Sequence, residues 1–507
     1  MAGERRRRLR ELAERLTGLV GPPEGPDAYV SGVAADSRTL RPGEIFVAVR
    51  GNAQDGHAFI SDAVSRGAAA IVVEDAPEPP VRVPVLRVRD ARVALAELAA
   101  AWYGRPADRL RLVGITGSLG KTSTLSMLEA ILAADGRRVG TIGSLGIRLG
   151  EALEATSLTT PAPIELHRAL ARFARARADL ALMEVTSHAL VQHRVHGLVF
   201  DLGIFTNLVP LEHREYHGSF RAYALAKTRF FDHVRSGGPL VYAAGDRVVR
   251  TLVPGRGVRP VSCGPGGRVS VRVERLRLDR PGTRVVLSLR APLERVDGAV
   301  LEPVRVPVEL QVLGRPNIAN AVFAATAALC LGVAPETVGN ALSSFRAPRR
   351  RMEIVYRGRF TVLDDTVGHP DSIGAVFEVA ERIAHRALHV VYAARGRRGE
   401  EINRRDAEVL AIWSRRVRLA SLVVTASEDV VGERNQVTTA EREAFLDTLR
   451  RYGVAFEYEE ALERAVERVL AAVRPRDLVL LLGAQGMDRG AEFVRRQVAA
   501  TGDPPPG

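Results

Sequence analysis

Lysine is nearly missing from this sequence. Of its 72 basic residues 70 are arginine, and the two lysines are Lys121 and Lys227. Arginine serves wherever a solvated charge or an ion pair is needed. It cannot stand in for a compact ammonium, or for an amine that must lose its proton. The two lysines are therefore the first places to look for chemistry. Cysteine is as scarce, with Cys263 and Cys330 alone. That excludes a disulfide framework, and with no C-x-x-C pair there is no sign of zinc. Aromatics amount to 5%, too few for a platform on which single-stranded nucleic acid would stack. The formal charge of +13 is spread as arginine over the whole length. It suits anionic small substrates such as nucleotides, and no nucleic-acid partner is expected. There is no run of 18 or more apolar residues, so no membrane span is expected. The start, MAGERRRRLRELAERL, lacks an apolar signal core, and a cytoplasmic location is expected.

What is present is a long globular α/β chain. At 507 residues and 46% hydrophobic content, a scale of about 150 residues per domain suggests three. Between 27 and 100, short β-branched runs alternate with helical stretches, and a helix near 90–103 leads to Arg105-Pro106, a boundary signal. Apolar segments at 179–185 and 199–206 read as buried parallel strands. The alternating patterns within 267–313 read as antiparallel strands at the edge of the same domain. RAPRRRMEIV marks the next boundary. Beyond it, strand candidates at 360–364, 387–394, 420–425 and 477–483 alternate with helices, the signature of a second wrapped parallel sheet. The tail TGDPPPG is expected to be disordered. The domains expected are 1–104, 105–346 and 347–507.

The sharpest local signal is TGSLGKTS, Thr116, Gly117, Ser118, Leu119, Gly120, Lys121, Thr122 and Ser123, between a strand and a helix. Glycines let backbone N–H groups approach phosphate, and a helix N-terminus favours an anion. Lys121 is placed to reach the β/γ-phosphates of ATP and the Thr122 hydroxyl to ligate Mg²⁺. Ile115 stands where the longer form of this loop has its first glycine, so the loop is the shorter T-G-x-x-G-K-T form.

TGSLGKTS resembles the TGTNGKT loop of the Mur ligases, ATP-dependent amino-acid ligases of peptidoglycan precursor synthesis. EVTSHALVQHRVHGLVFDLGIFTNL (184–208) and EHREYHGSFRAYALAKTRFF (212–231) resemble segments of its MurE branch, which acts on UDP-N-acetylmuramoyl-L-alanyl-D-glutamate. VAADSRTLRPGEIFVAVRG, SLTTP, LGRPNIAN and RME match in the same order, and the resemblance covers roughly residues 27–380. It implies the three-domain architecture of that family: a UDP-binding domain, a central P-loop ATPase-type domain and a Rossmann-like C-terminal domain.

The resemblance also implies roles. Glu184 and His213 match metal-binding positions. Lys227, 14 residues after His213, matches a lysine carbamylated by CO₂ or bicarbonate, which turns an amine into an anionic oxygen ligand suited to Mg²⁺. Asn317, Arg351 and Asp365 match nucleotide-contacting positions. Ser37 and Arg38 match the uridine side of the acceptor. Thr159, Thr160, Thr186, Gln192 and Arg194 match contacts to a UDP-sugar-peptide. Partners expected are that acceptor and an amino acid; the oligomeric state is left open.

The last third departs from the pattern. TASEDVVGERNQ (425–436) stands where D-N-P-R reads the diamino acid, and GAQGMD (483–488) where G-K-G-H-E is usual. Gly368 takes the place of a histidine, with His369 one later, and AARGRRGEE replaces G-G-D-R-D-x-x-K. Glu428, Asp429, Gln485 and Asp488 are candidates for a new pocket, or for a solvated loop. The incoming amine therefore stays open. So do another acceptor acid and a nucleotide-binding partner that no longer ligates.

Overall fold

The computed structural model describes residues 6–51, 54–210, 217–265, 267–278, 283–311, 314–417 and 419–500. Three β-sheets of four, eleven and six strands organise it, joined by two short two-stranded pieces. The tail lies outside the described residues.

The first sheet takes β1 (Gly32–Ala34), β2 (Glu44–Val47), β3 (Ala70–Val73) and β4 (Val85–Arg87) in sequence order, all parallel. α1 (Ile60–Ser65) and α2 (Ala91–Trp102) accompany them, and Asp90 starts α2 by accepting from the N–H groups of Arg92 and Val93.

The second sheet holds the site. Its elements are β5 (Arg111–Thr116), α3 (Lys121–Ala134), β6 (Val139–Gly143), β7 (Gly146–Leu149), β8 (Ala152–Glu154), α4 (Pro163–Arg175), β9 (Leu180–Glu184), α5 (Ser187–Val191), β10 (Leu202–Phe205), α6 (Phe220–Thr228), β11 (Pro239–Ala243), β12 (Arg259–Pro265), β13 (Val271–Leu278), β14 (Thr283–Leu289), β15 (Arg305–Leu310), α7 (Arg315–Cys330) and α8 (Pro335–Ser344). The strand order is β8-β7-β6-β9-β5-β10-β11-β12-β13-β14-β15. The seven strands from β6 to β13 are parallel, and two antiparallel strands flank them on either side. The sequence signalled the antiparallel edge β13–β15 but not the β7–β8 edge, whose strands are only three or four residues long.

Burial explains the arrangement. β9 and β10 are buried at every residue, and β5 at all but Arg111, as strands covered on both faces must be. β15 alternates exposed and buried, as a strand covered on one face does. On one face α3 packs Leu125, Leu128 and Ile131 against Ile318, Val322 and Ala325 of α7. On the other, Leu166, Leu170 and Phe173 of α4 join Phe200, Phe205, Phe230 and Phe231. Each such side chain taken from water contributes about 1.5–3 kcal/mol. This rigid double-faced core fixes the strand ends from which the site projects.

The third sheet contains β16 (Glu353–Arg357), β17 (Thr361–Asp365), α9 (Pro370–Ala380), β18 (Leu388–Ala393), α10 (Glu400–Arg416), β19 (Leu419–Thr425), α11 (Thr439–Arg451), β20 (Glu457–Glu459), α12 (Leu462–Ala472), β21 (Leu478–Gly483) and α13 (Gly490–Ala500). Its strand order is β16-β17-β21-β18-β19-β20, parallel except for β16. No helix among the described residues is long and apolar enough to cross a membrane.

Candidate active site

Strand β5 ends in the glycine loop, and α3 starts directly at Lys121. Gly120, the residue before the helix, has φ +85°, a conformation that L side chains rarely adopt, and a Cβ there would overlap Oδ1 of Asn320. The segment after β10 grips the loop. Ser118 N donates to Asn207 O (2.9 Å), and Leu119 N to Asn207 Oδ1 (2.9 Å). Thr206 Oγ1 donates to Leu119 O at 2.7 Å. Lys121 turns back over the loop, its Nζ donating to Gly117 O (2.8 Å) and Ser118 O (2.9 Å). The ammonium thus lies over the loop's own carbonyls, beside the positive end of a 14-residue helix. Ser123 is buried in the first turn.

Glu184, at the end of β9, is 1% exposed. Its Oε1 accepts from Thr122 Oγ1 (3.0 Å) and from Ser144 N (2.9 Å). The Ser144 hydroxyl also lies 3.0 Å from Thr159 Oγ1. Thr160 Oγ1 donates to Glu184 O (2.9 Å) and accepts from Thr186 N (3.1 Å). Thr186 caps α5 through the N–H of Ala189. Arg194 donates through Nη1 to Thr160 O (2.8 Å) and through Nη2 to Gln192 Oε1 (2.6 Å). The structure therefore gathers Thr159, Thr160, Thr186, Gln192 and Arg194 around the end of β9, next to the phosphate loop.

Lys227 approaches the same loop from α6. It is 1% exposed, and its Nζ lies 3.4 Å from Thr116 Oγ1 and 5.1 Å from the centre of the Tyr223 ring. His213 lies outside the described residues. Its neighbour His217 places Nε2 3.0 Å from Ser187 Oγ. Among the described residues no three histidine, cysteine or carboxylate side chains form a metal-binding group. Thr122 Oγ1 and Glu184 Oε1 nevertheless are a pair of hard oxygen donors beside the loop, the kind of ligand Mg²⁺ takes.

The other expected residues sit on different elements. Asn317, in the first turn of α7, is 6% exposed, with Oδ1 3.5 Å from Asn320 Nδ2. Asn320 in turn abuts Gly120 and lies 3.4 Å from Thr124 Oγ1. Asn317 thus reaches the loop through Asn320. Ser37 and Arg38 lie in a 3-10 turn (Ser37–Thr39) between β1 and β2. Ser37 is buried, while Arg38 forms a two-pronged pair with Asp36 and is largely exposed. Asp365 ends β17, and Arg351 lies just before β16. Asp365 Oδ2 accepts from Met352 N (2.7 Å), and Arg351 Nη1 donates to Arg350 O (2.9 Å). Burial pushes the Asp365 carboxyl up to about 6, against the opposing pull of Arg351. Its neighbour Asp364 is pushed up to about 7, again chiefly by burial.

Several residues that organise the site escaped the sequence reading. Arg350 is one: its guanidinium pairs with Asp488 and lies 3.4 Å from Asp364, and it donates to the carbonyls of Gly483 (2.6 Å) and Ala484 (3.0 Å). It sits inside an arginine run, where nothing local separates it from Arg349 or Arg351. Ser144 was within reach of sequence reasoning, since it directly follows a parallel strand at the end where ligands bind. Asn207, Asn320 and Tyr223 act across long sequence separations that no local pattern encodes.

Glu428, Asp429, Gln485 and Asp488, the candidates for a new pocket or a solvated loop, are all exposed. Asp429 spends both oxygens on the N–H groups of Leu462 and Glu463, capping α12, and Asp488 binds Arg350. Glu428 and Gln485 point to solvent. At Gly368, which takes the place of a histidine, the nearest atoms to a Cβ would be the end of the Arg395 side chain, whose Nη1 donates to the Gly368 carbonyl. His369 instead starts α9, its Nδ1 accepting from Asp371 N (3.2 Å), which leaves Nε2 to donate to Pro210 O (2.7 Å). That bond joins the third sheet's domain to the segment gripping the phosphate loop.

Three family models match the chain: the Mur ligase family catalytic domain over residues 29–103, the Mur ligase middle domain over 115–328, and the Mur ligase glutamate ligase domain over 350–485. Among relatives, a UDP-N-acetylmuramyl-tripeptide synthetase of Roseiflexus sp. (strain RS-1) is 33% identical over 499 residues, covering 94% of this chain and 93% of its own. A UDP-N-acetylmuramoyl-L-alanyl-D-glutamate–2,6-diaminopimelate ligase of Chlorobaculum tepidum is 33% identical over 486 residues, covering 94% and 90%. Among solved structures, MurF from Acinetobacter baumannii superposes with a TM-score of 0.67 at 18% identity, covering 97% of this chain and 98% of that one. A UDP-N-acetylmuramoyl-L-alanyl-D-glutamate–2,6-diaminopimelate ligase gives 0.63 at 19%, covering 93% and 95%. The structural likeness speaks for the fold, and the sequence matches run through all three domains: the chain belongs to the Mur ligase family.

Proposed function

We propose that this protein is an ATP- and Mg²⁺-dependent amide ligase that adds an amino acid to UDP-N-acetylmuramoyl-L-alanyl-D-glutamate in peptidoglycan precursor synthesis. Residues 1–104 would bind the UDP end of the acceptor, 105–346 the nucleotide, and 347–507 the incoming amine. The observation that carries this reading is the convergence of Lys121, Thr122, Glu184 and Lys227, from three different elements, on one phosphate loop. The names of the relatives at 33% identity point to the same acceptor.

The reaction follows from what the residues can do. The first turn of α3 and Lys121 would hold the β- and γ-phosphates and orient the γ-phosphorus toward the acceptor. Thr159, Thr160, Thr186, Gln192 and Arg194 supply hydroxyls, an amide and a guanidinium to a polar anionic ligand, setting its carboxylate beside the loop. That carboxylate attacks the γ-phosphorus, the bond to ADP breaks, and an acyl phosphate forms. The amine then attacks the acyl carbon and inorganic phosphate leaves. Thr122 and Glu184, with His213 and carbamylated Lys227, would hold Mg²⁺, which when bound supplies positive charge to the phosphoryl oxygens. A neutral lysine amine can take up CO₂, which a guanidinium cannot. Asn317, Arg351 and Asp365 would contact the nucleotide, the last two brought in by closure of the third domain. Ser37 and Arg38 would hold the uridine side.

Isotope transfer tests this. With ¹⁸O in the acceptor carboxylate, an acyl phosphate delivers one ¹⁸O to the released phosphate. Phosphate free of the label would mean that water, not the acceptor, attacks ATP.

A further inference from the structure

Two residues of α6 clasp the phosphate loop, and only one of them has a role in the reading above. Lys227 reaches Thr116, at the end of β5. One helical turn earlier, Tyr223 places its hydroxyl 2.9 Å from Ser118 Oγ, inside the loop. Both α6 residues are 1% exposed. Ser118 Oγ also accepts from Val209 N (3.0 Å), so the Tyr223 contact completes a three-way junction of loop, helix and the segment after β10. The Tyr223 ring lies 5.1 Å from Lys227 Nζ and 5.4 Å from the His217 ring.

We propose that Tyr223 is a positioning residue of the phosphoryl-transfer site. Through Ser118 it locks the phosphate loop in register with the helix that carries Lys227, so that nucleotide binding and the placement of the lysine amine share one fixed frame. The physical case rests on geometry. The loop carries two positive-φ glycines, Gly117 and Gly120, and such a loop has other conformations open to it. A buried hydroxyl pair to a rigid helix selects one of them. The ring, packed against the lysine stem's ammonium end, limits where Nζ can sit. The assignment rests on the proposed roles of the loop and of Lys227.

The test is a double-mutant cycle with Y223F and S118A, read first by binding of a fluorescent ATP analogue and then by steady-state kinetics. Y223F keeps the ring and leaves Ser118 Oγ its bond from Val209, so the fold is retained, as a thermal melt will show. Expected is a 3- to 10-fold weaker nucleotide affinity in Y223F, the size of one buried hydrogen bond. The double variant should lose no more than the weaker single one. Y223L, which also removes the ring, should lower the ¹³C-bicarbonate-derived carbamate signal at Lys227, with partial recovery at higher bicarbonate. Unchanged affinity in Y223F, or losses that multiply in the double variant, would overturn the proposal. The binding arm needs neither acceptor nor carbamate, so it stands apart from failure of the ligase reading. That failure would appear in the wild-type protein, as absent ligation or an absent carbamate signal.

Discussion

Thr122 Oγ1 donates to Glu184 Oε1 at 3.0 Å, bridging the first turn of α3 and the end of β9. The bond brings a hydroxyl and a carboxylate, 62 residues apart in sequence, to one point beside the phosphate loop. The same carboxylate oxygen accepts from Ser144 N, at the end of the strand next to β9. Three strand-and-helix ends thus share one oxygen, and the metal-dependent part of the proposed chemistry is tied to it.

E184Q keeps the size and one acceptor oxygen but removes the charge. The expected outcome is a fall in kcat/KM of about 100-fold together with a higher Mg²⁺ requirement. A magnesium titration of the initial rate checks it. An unchanged magnesium dependence would take Glu184 out of the metal site.

Lys227→Arg keeps a positive charge and forfeits the capacity to form a carbamate. Ligation should fall by at least about 100-fold, the scale seen when a group that stabilises the transition state is lost. The ¹³C signal formed from labelled bicarbonate in the parent should vanish. Full activity in K227R would show that the amine is not modified, or that the modification does not matter.

Asp364 titrates in the folded protein at about 7, raised from 3.8 mainly by burial, and its Oδ2 has no hydrogen-bond partner among the described residues. The folded state therefore holds this proton more tightly than the unfolded chain does. The stabilisation this provides is complete below about pH 4 and is lost as the pH rises through about 7. Asn does not titrate, so D364N should gain on the parent in thermal midpoint between pH 5 and pH 8. Melts across that range decide it, and parallel pH profiles would contradict the shift.

Arg350, 12% exposed at its side chain, ties the start of the third domain to Asp364, Asp488, Gly483 and Ala484. R350A leaves buried acceptors unpaired and should destabilise that domain by about 3 kcal/mol. R350K, which keeps charge but loses the fork geometry, should recover only part of it. Limited proteolysis of the third domain, followed with denaturant, measures the difference.

Much of this was legible beforehand. β9, β10, β18 and β21 appear as apolar runs because strands buried on both faces have no polar side to show. Lys121 and Lys227 were marked by rarity, and the structure puts both on one loop. Arg350 and Tyr223 were illegible because their partners lie far along the chain, at Gly483 and Ser118. Asp429 looked chemical in sequence and is spent on a helix cap. Carboxylates at loop ends serve both purposes, and only the position of Leu462 tells them apart.

Ligation itself is measured by release of inorganic phosphate from ATP with Mg²⁺, bicarbonate and UDP-N-acetylmuramoyl-L-alanyl-D-glutamate, across a panel of amino acids and amines. Expected is release that requires both the acceptor and one member of the panel, with one amide formed per phosphate. Release that ignores the acceptor, or no release with any amine while ATP still binds, would contradict it.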